Sequence, residues 1–259
     1  MPWLGLGTWQ LRSGRIAERA VRSALDIGYR LIDTAKLYGN EADVGRAIRG
    51  SGIPRDEIFV TTKLWNSDHG YDRAMKAFHR SLDSLGLGYV DLYLIHWPES
   101  GARAETWRAL ERICKEGTAK AIGVSNYTVR HLAEMDTYAS IPPAVNQVEF
   151  SPFLFQRDLL EDCRKRGIQL EAYSPLTKGH RLSDPRLLEL ASKYRKTPAQ
   201  ILLRWCLEHQ VVAIPKSEDR ARQTEDADIF GFELNAEDMA RLDRIGDSYR
   251  TSWDPTFVP

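Results

Sequence analysis

Arg30-Leu31-Ile32-Asp33 is the first of three stretches that decide the fold. The other two are Ile58-Phe59-Val60-Thr61-Thr62-Lys63 and Val90-Asp91-Leu92-Tyr93-Leu94-Ile95-His96. Each is an apolar, strand-like run that stops on an ionisable side chain. In a parallel α/β barrel the strand ends meet at one rim, and barrel enzymes carry their active sites there. The three stretches therefore predict a barrel with Asp33, Lys63 and His96 at its rim.

Outward from these stretches, strand-like and helix-like segments alternate along the chain. Further strands are expected at residues 4–7, 119–124, 144–149, 169–173 and 211–214. Helices are expected at residues 16–27, 41–49, 71–85, 105–115, from 128 onward, 157–166, 185–195, 197–209 and 235–245. Eight strand–helix units with short connections predict an α/β fold, a (β/α)₈ TIM barrel. We expect one domain over residues 1–259, with an irregular tail, 246–259, near the rim.

Composition narrows the class of partner. The 36 basic and 36 acidic side chains balance, so no overall field favours nucleic acid or a membrane surface, and a small molecule is expected instead. The three cysteines lie in separate helix-like segments without a CxxC pattern, which indicates free thiols in a reducing compartment. The sequence shows no signal peptide and no apolar run of about 20 residues. We expect a cytoplasmic protein.

Four side chains near the predicted rim suit proton transfer: Asp33, Tyr38, Lys63 and His96. A free tyrosine has a pKa of about 10, too high for ready donation near neutral pH. A lysine ammonium about 4 Å away favours phenolate by about 4 kcal/mol at an effective dielectric of about 20. Asp33 would offset part of this while holding Lys63, so we expect a net lowering of the Tyr38 pKa by about two units. A neutral His96 would orient a carbonyl oxygen.

Other polar residues at strand ends suit a nucleotide cofactor. Ser125, Asn126 and Gln147 offer donors and acceptors that match a carboxamide, and Tyr173 offers a ring for stacking. A cationic group suited to a phosphate follows the last strand and consists of Lys216, Ser217 and Arg222. The alternative for that group is a solvated loop with ordinary charges. Since neither a three-glycine fingerprint nor a Walker A motif is present, a barrel rim would hold the dinucleotide.

At these residues the sequence closely resembles the aldo-keto reductase superfamily, in collinear order over nearly the whole chain. The matching stretches are Leu4–Trp9, Gly28–Ala35, Tyr38–Glu41, Thr62–Trp65, Asp91–Pro98, Ile122–Asn126, Asn146–Glu149, Ala172–Leu176 and Ile214–Ser217. The resemblance implies a (β/α)₈ barrel that reduces aldehydes and ketones with NADPH, without metal or flavin. It also implies a monomer.

The resemblance further implies a role for each matching residue. Tyr38 would be the general acid, Lys63 and Asp33 its tuning partners, and His96 the group that orients the carbonyl. The cofactor would be bound by Ser125, Asn126, Gln147, Tyr173, Ser174, Leu176, Lys216, Ser217, Arg222 and Glu225. The substrate pocket would be walled by Trp9, Trp65 and Trp97.

The sequence also departs from the family pattern. Asp226 stands where many members carry an asparagine that contacts adenine, so the adenine contacts are expected to differ. Residues 99–104 and 177–183 form short loops, and the usual N-terminal hairpin is expected to be missing. Short loops indicate an open pocket and broad substrate acceptance, as in the bacterial-type members similar to diketogluconate reductases.

Two other functions remain as alternatives. One is a non-catalytic NADPH-binding barrel with a regulatory or structural role, as in relatives that serve as channel subunits or lens proteins. The other is a metal-dependent hydrolase built on Asp33 and His96, which would need several further ligands. The sequence shows no zinc motif, and we expect no metal.

Overall fold

The computed structural model describes residues 1–259, and its centre is one sheet of eight parallel strands in chain order. The strands are β1 (Leu6–Gly7), β2 (Leu31–Asp33), β3 (Phe59–Leu64), β4 (Val90–Ile95), β5 (Ala119–Ser125), β6 (Val145–Glu149), β7 (Gln169–Tyr173) and β8 (Val212–Ile214). Neighbouring strands are in register, with Asp33 opposite Thr61 and Gln147 opposite Glu171. The predicted (β/α)₈ barrel is confirmed.

The segment before and within β1 closes the barrel against β8. Gly5 N donates a hydrogen bond to Ala213 O at 2.9 Å, and Gly7 N donates one to Pro215 O at 2.9 Å. A Cβ on Gly7 would lie 2.8 Å from Ile214 O, so glycine is required for this close approach of the two backbones. Residues 1–5 form no hairpin.

Ten helices surround the strands. They are α1 (Arg15–Ile27), α2 (Glu41–Arg49), α3 (Tyr71–Leu85), α4 (Arg103–Lys115), α5 (Val129–Met135), α6 (Arg157–Arg166), α7 (Pro185–Tyr194), α8 (Pro198–Glu208), α9 (Arg220–Ala227) and α10 (Ala236–Asp243). Thr128 and Thr197 cap α5 and α8: each hydroxyl accepts a hydrogen bond from the backbone N–H of the third residue of its helix. None of the helices combines the length and the apolar character needed to cross a membrane.

Helix α9 is the main difference from the sequence-based expectation, which placed no helix after β8 before residue 235. Its sequence is almost entirely polar, so no apolar periodicity marks it. Tertiary contacts and a cap form it instead. Gln223, buried within α9, donates to Ala20 O at 3.0 Å on α1, and Asp219 caps the helix by accepting from Arg222 N at 3.0 Å.

Inward-facing side chains of the strands divide into apolar and polar groups. The apolar positions form two clusters, Leu31 with Val212 and Ile214, and Leu92 with Leu94 and Val145. The polar positions are Asp33, Lys63, Gln147 and Glu171, none of which is more than 2% exposed. Because bulk water does not reach these four side chains, they must satisfy one another's hydrogen bonds. They form the floor of the candidate site.

Candidate active site

Lys63 is the centre of the site. It is fully buried, and its ammonium donates three hydrogen bonds: to Asp33 Oδ1 at 2.6 Å, to Thr34 O at 3.0 Å and to Tyr38 OH at 3.2 Å. All three N–H groups of the ammonium therefore have acceptors. Asp33, Tyr38 and Lys63 were predicted to lie together at the rim, and the Lys63 ammonium contacts both of the other side chains.

Local structure explains why these three residues meet. Lys63 lies two residues beyond Thr61, the β3 partner of Asp33, so both charged side chains point into the barrel. Tyr38 ends a short 3₁₀ turn, Lys36–Tyr38, that follows β2. The buried side chain of Asn40 anchors that turn, because it accepts from Thr34 Oγ1 at 2.8 Å and donates to Thr8 O at 3.0 Å.

His96 lies beside the tyrosine, with the two ring centroids 5.7 Å apart and the rings nearly perpendicular. Burial and the nearby Lys63 ammonium lower the pKa of His96 well below its usual value, so the imidazole is neutral at physiological pH. Its Nδ1 is buried and has no hydrogen-bond partner. A neutral imidazole that carries its proton on Nε2 would donate one hydrogen bond to an oxygen placed between the two rings.

The pKa of Tyr38 differs from the expectation. Burial raises it to about 12, because removing the phenolate from water outweighs the opposing effect of the Lys63 ammonium, and Asp33 raises it further. The expected net lowering by two units is therefore wrong in direction. Burial lowers the pKa of Lys63, but the Asp33 carboxylate more than compensates, so the pKa stays above its usual value and the ammonium is retained.

Glu171 extends the cluster, and sequence analysis did not predict it. Gln147 Nε2 donates both to Asp33 Oδ2 and to Glu171 Oε2, each at 2.8 Å. Glu171 lies in the middle of β7, where a charged residue within a buried strand was the available sequence signal. One amide therefore joins two buried carboxyl groups, one of which, Asp33, also accepts from Lys63.

A second hydrogen-bonded group connects β5, β6 and β7. Ser125 Oγ donates to Gln147 O at 2.8 Å, and Asn126 Nδ2 donates to Ser125 Oγ at 3.1 Å and to His96 O at 3.0 Å. Tyr173 OH donates to Asn126 Oδ1 at 2.9 Å, which fixes the half-buried tyrosine ring at the rim. The structure thus brings together the four residues predicted to hold a carboxamide and a flat ring.

The loop after β7 carries two further predicted cofactor residues. Ser174 and Leu176 are both half-buried, and Ser174 has a positive φ of 48°. Ser174 O accepts from Thr177 N at 2.9 Å, which makes a tight turn at the end of the strand. Both residues therefore lie directly after the rim position of Tyr173.

The remaining predicted cofactor residues lie between β8 and α9. Lys216 and Arg222 are exposed and form no ion pair, whereas Ser217 is buried and its hydroxyl accepts from Asp219 N at 3.1 Å. Glu225 is already engaged, since its Oε1 accepts from Thr197 Oγ1 at 2.7 Å on α8. Asp226 is buried next to Glu225, and burial raises its pKa to about 7.

The mouth of the site is lined by tryptophans. Trp9 lies 4.9 Å from Tyr38 and Trp65 lies 5.3 Å from His96, measured between ring centroids. Trp253, from the C-terminal tail, lies 5.3 Å from Trp97 and 6.3 Å from Trp65. The tail therefore adds a fourth tryptophan to the three that were predicted.

A buried glutamate holds the tail in this position. Glu149, at the end of β6, accepts hydrogen bonds from Thr251 N and Thr251 Oγ1 through Oε1, at 2.6 and 2.7 Å, and from Ser252 N through Oε2 at 3.0 Å. Trp253 follows directly and remains 65% exposed. Its indole is therefore positioned at the mouth but is free to contact a ligand.

The fold and the site together define the class of the protein: a parallel α/β barrel with a buried Lys–Asp pair against a tyrosine at the carboxyl ends of its strands. The chain matches the model of the Aldo/keto reductase family over residues 3–247. It belongs to this family of oxidoreductases.

Individual relatives agree with this assignment. The chain is 49% identical to an uncharacterized oxidoreductase, YtbE, of Bacillus subtilis (98% of this chain, 92% of the relative) and 49% identical to glyoxal reductase of the same bacterium, with the same coverage. Its structure is similar to that of an aldo-keto reductase from a deep-sea metagenome, with a TM-score of 0.96 and 46% identity over 100% of this chain and 96% of the other. A Bombyx mori aldo-keto reductase in complex with NADP has a TM-score of 0.91 and 35% identity over 96% and 91% of the two chains.

Proposed function

We propose that the protein reduces aldehydes and ketones to alcohols with NADPH, and that Tyr38 donates the proton. The observation that carries this proposal is the 3.2 Å contact between the buried Lys63 ammonium and Tyr38 OH. A fixed cation at that distance stabilises the phenolate that remains once the proton has left. Asp33 holds the cation in place at 2.6 Å.

The protonation states support this direction of transfer. With a pKa raised to about 12, Tyr38 carries its proton at neutral pH. A carbonyl oxygen that gains alkoxide character during reduction becomes a stronger base than phenolate, so the proton moves from Tyr38 to that oxygen. Neutral His96, beside Tyr38, orients the same oxygen by donating a hydrogen bond before transfer.

The residues present fit a nicotinamide dinucleotide. Lys216 and Arg222 are exposed cations without an ion-pair partner, which suits a phosphate monoester, and the fixed Tyr173 ring suits stacking. Ser125, Asn126 and Gln147 would hold the carboxamide. When bound, the reduced nicotinamide supplies a hydride to the carbonyl carbon. The remaining contacts would come from Ser174 and Leu176 along the pyrophosphate, Ser217 at the 2′-phosphate, and Glu225, which shares its carboxylate with Thr197.

The tryptophans at the mouth support a proposal about the class of substrate. Trp9, Trp65, Trp97 and the tail residue Trp253 offer flat apolar surfaces around the Tyr38–His96 gap, which favours aromatic and other apolar carbonyl compounds. The related proteins named glyoxal reductase and morphine 6-dehydrogenase indicate that this fold accepts carbonyl or alcohol substrates of very different size. We therefore propose that the enzyme accepts a broad range of carbonyl compounds. We also propose that it is a single-domain, cytoplasmic monomer, as the resemblance to the family implies.

The proposal is tested by following NADPH oxidation with an aromatic aldehyde, with a chelator present, in the wild type and in Tyr38→Phe. We expect turnover by the wild type and a loss of at least about a hundredfold in the variant, since the general acid is removed. Equal turnover in both proteins would exclude Tyr38 as the proton donor. Binding of NADPH without turnover in either would favour the non-catalytic barrel.

The hydrolase alternative receives no support from the arrangement of the residues. No group of three or more His, Cys, Asp or Glu side chains is placed to bind a metal ion, and the position beside Asp33 is taken by the Lys63 ammonium. Loss of turnover on addition of the chelator would nevertheless contradict the proposed chemistry.

A further inference from the structure

Glu171 occupies an unusual place for a carboxyl group. It lies in the middle of β7, is fully buried and points into the barrel opposite Gln147 on β6 and Val212 on β8. Its Oε2 accepts one hydrogen bond from Gln147 at 2.8 Å, while no polar group of the protein donates to Oε1. A carboxylate in such surroundings lacks the hydrogen bonds or cation needed to offset its loss of hydration.

The charges in the cluster do not balance if both acids are ionised. Asp33 and Glu171 are two carboxyl groups joined by the Gln147 amide, and Lys63 supplies one positive charge. The ammonium contacts Asp33 at 2.6 Å and makes no contact with Glu171. Asp33 therefore takes the negative charge, and the neutral form of the cluster has a proton on Glu171.

We propose that Glu171 is a positioning residue that holds a proton at neutral pH and, through Gln147, Asp33 and Lys63, sets the acidity of Tyr38. This inference rests on the proposed function for its effect on catalysis. The protonation of Glu171 itself is inferred from the geometry of the cluster and does not depend on the proposed function.

Deprotonation of Glu171 would change the pKa of Tyr38 in a definite direction. Burial raises the pKa of Glu171 to about 8, and the Asp33 carboxylate raises it too, whereas the Gln147 amide and the Lys63 ammonium lower it. When Glu171 releases its proton to solvent, a second buried anion raises the pKa of Tyr38, as Asp33 already does. Tyr38 then becomes a weaker proton donor. Three charged or titratable groups interact with Glu171: Asp33, Lys63 and Tyr38.

The first test compares the pH dependence of kcat for the wild type, Glu171→Gln and Glu111→Gln, with NADPH and an aromatic aldehyde. A glutamine at position 171 mimics the protonated acid, so we expect kcat within about twofold of the wild type at pH 6.5. Between pH 6.5 and 9, kcat of the wild type should fall several-fold more than that of Glu171→Gln, with KM for the aldehyde unchanged.

Glu111 is the matched control. It is buried on α4, outside the barrel, where its carboxylate accepts from Ser140 N and Ile141 N. Glu111→Gln should keep the pH profile of the wild type. Profiles for the wild type and Glu171→Gln that remain parallel, or a change in KM alone, would overturn the proposal.

The second test needs no activity and measures the thermal midpoint of the full chain against pH. The folded-state pKa of Glu171 is about 8, above its ordinary value of 4.5. Between pH 4.5 and about pH 8, the folded protein therefore holds a proton that the unfolded chain has released. Stability of the wild type should therefore fall across this window relative to Glu171→Gln, and the gap between them should stay constant above about pH 8. A gap that does not change with pH would show that Glu171 does not hold the proton.

The two tests separate the possible failures. Absence of turnover in every protein would overturn the proposed function and the catalytic part of this inference, while the thermal midpoints would still decide the protonation of Glu171. If Glu171→Gln does not fold, the infrared band of a protonated carboxyl group decides it in Asp226→Asn, which removes another buried acid whose pKa is raised, to about 7. In that variant a band present at pH 6.5 and weakened by pH 9.5 agrees with the proposal, and no such band at pH 6.5 overturns it.

Discussion

The two charged regions at the rim of the barrel differ in how their charges are paired. In the β2–β3 region, Lys63 is fully buried and donates three hydrogen bonds, one of them to Asp33. In the β8–α9 region, Lys216 and Arg222 are exposed and form no ion pair. A buried charge requires partners within the protein, whereas water hydrates an exposed charge and leaves it available to a ligand. The first region is thus built for a fixed geometry and the second for binding.

The largest expected effect comes from removing one partner of the buried Lys63–Asp33 ion pair. Lys63→Met leaves the Asp33 carboxylate buried without its cation, so we expect the free energy of unfolding to fall by about 3–5 kcal/mol. Turnover should be lost as well, because Tyr38 loses its neighbouring cation. Urea unfolding measures the stability change. Adding Asp33→Asn to this variant should restore part of the stability, since the unpaired anion is then removed.

Lys120→Met provides the matched control for Lys63→Met. The Lys120 side chain is 51% exposed and its ammonium lies 3.6 Å from Asp91. Because solvent screens this pair, its loss should lower the free energy of unfolding far less than the loss of the buried Lys63–Asp33 pair. Equal losses from the two lysine variants would contradict the distinction between the buried and the exposed region.

The second-largest effect is expected in the exposed β8–α9 region. Replacing Lys216 and Arg222 together with alanine should raise KM for NADPH by about 100-fold or more and leave kcat unchanged, since each charged hydrogen bond to a phosphate contributes about 1.5–3 kcal/mol. The KM for NADH, which lacks that phosphate, should change little. Steady-state kinetics with both cofactors measures this.

The stability of the same double variant, in contrast to its KM for NADPH, is expected to change little. Because neither side chain is buried or paired, the free energy of unfolding should change by no more than about 0.5 kcal/mol. Lys76→Ala, at an exposed position on α3, serves as a control that removes a cation elsewhere. An equal rise in KM for NADPH in this control would argue against a specific phosphate site.

The smallest expected effect concerns the mouth of the site. Trp253→Ala removes the exposed indole beside Trp65 and Trp97, and an aromatic pair contributes about 0.5–1.5 kcal/mol. KM for an aromatic aldehyde should rise about 2–10-fold, while KM for a small aliphatic aldehyde stays the same. A uniform change for both substrates would indicate a general disturbance of the tail instead of a lost aromatic contact.

Sequence patterns predicted the barrel and the charged rim well because both depend on local order. Asp33 and Lys63 end apolar strand runs, and parallel strands bring such ends to one edge whatever the loops do. The caps Thr128 and Thr197 were predictable for the same reason, since a cap depends on a few consecutive residues.

Other features were not predictable from local order. The pKa of Tyr38 was expected to fall, but the structure raises it, because the expectation counted the neighbouring charges and omitted desolvation. Helix α9 was missed since its polar sequence has no periodicity. The hydrogen bond that Glu225 accepts from Thr197 on α8 was not foreseen either.

By itself, the sequence determined the order of strands and helices and the residues at the strand ends, because both are encoded in short runs of neighbouring side chains. Only the tertiary structure decided which buried groups are joined by hydrogen bonds. Gln147 joins Asp33 to Glu171 across the barrel interior, and Glu149 holds the tail that brings Trp253 to the mouth. The physical reason is that burial and cross-barrel hydrogen bonds arise between residues far apart in the chain, where local patterns carry no information about distance or hydration.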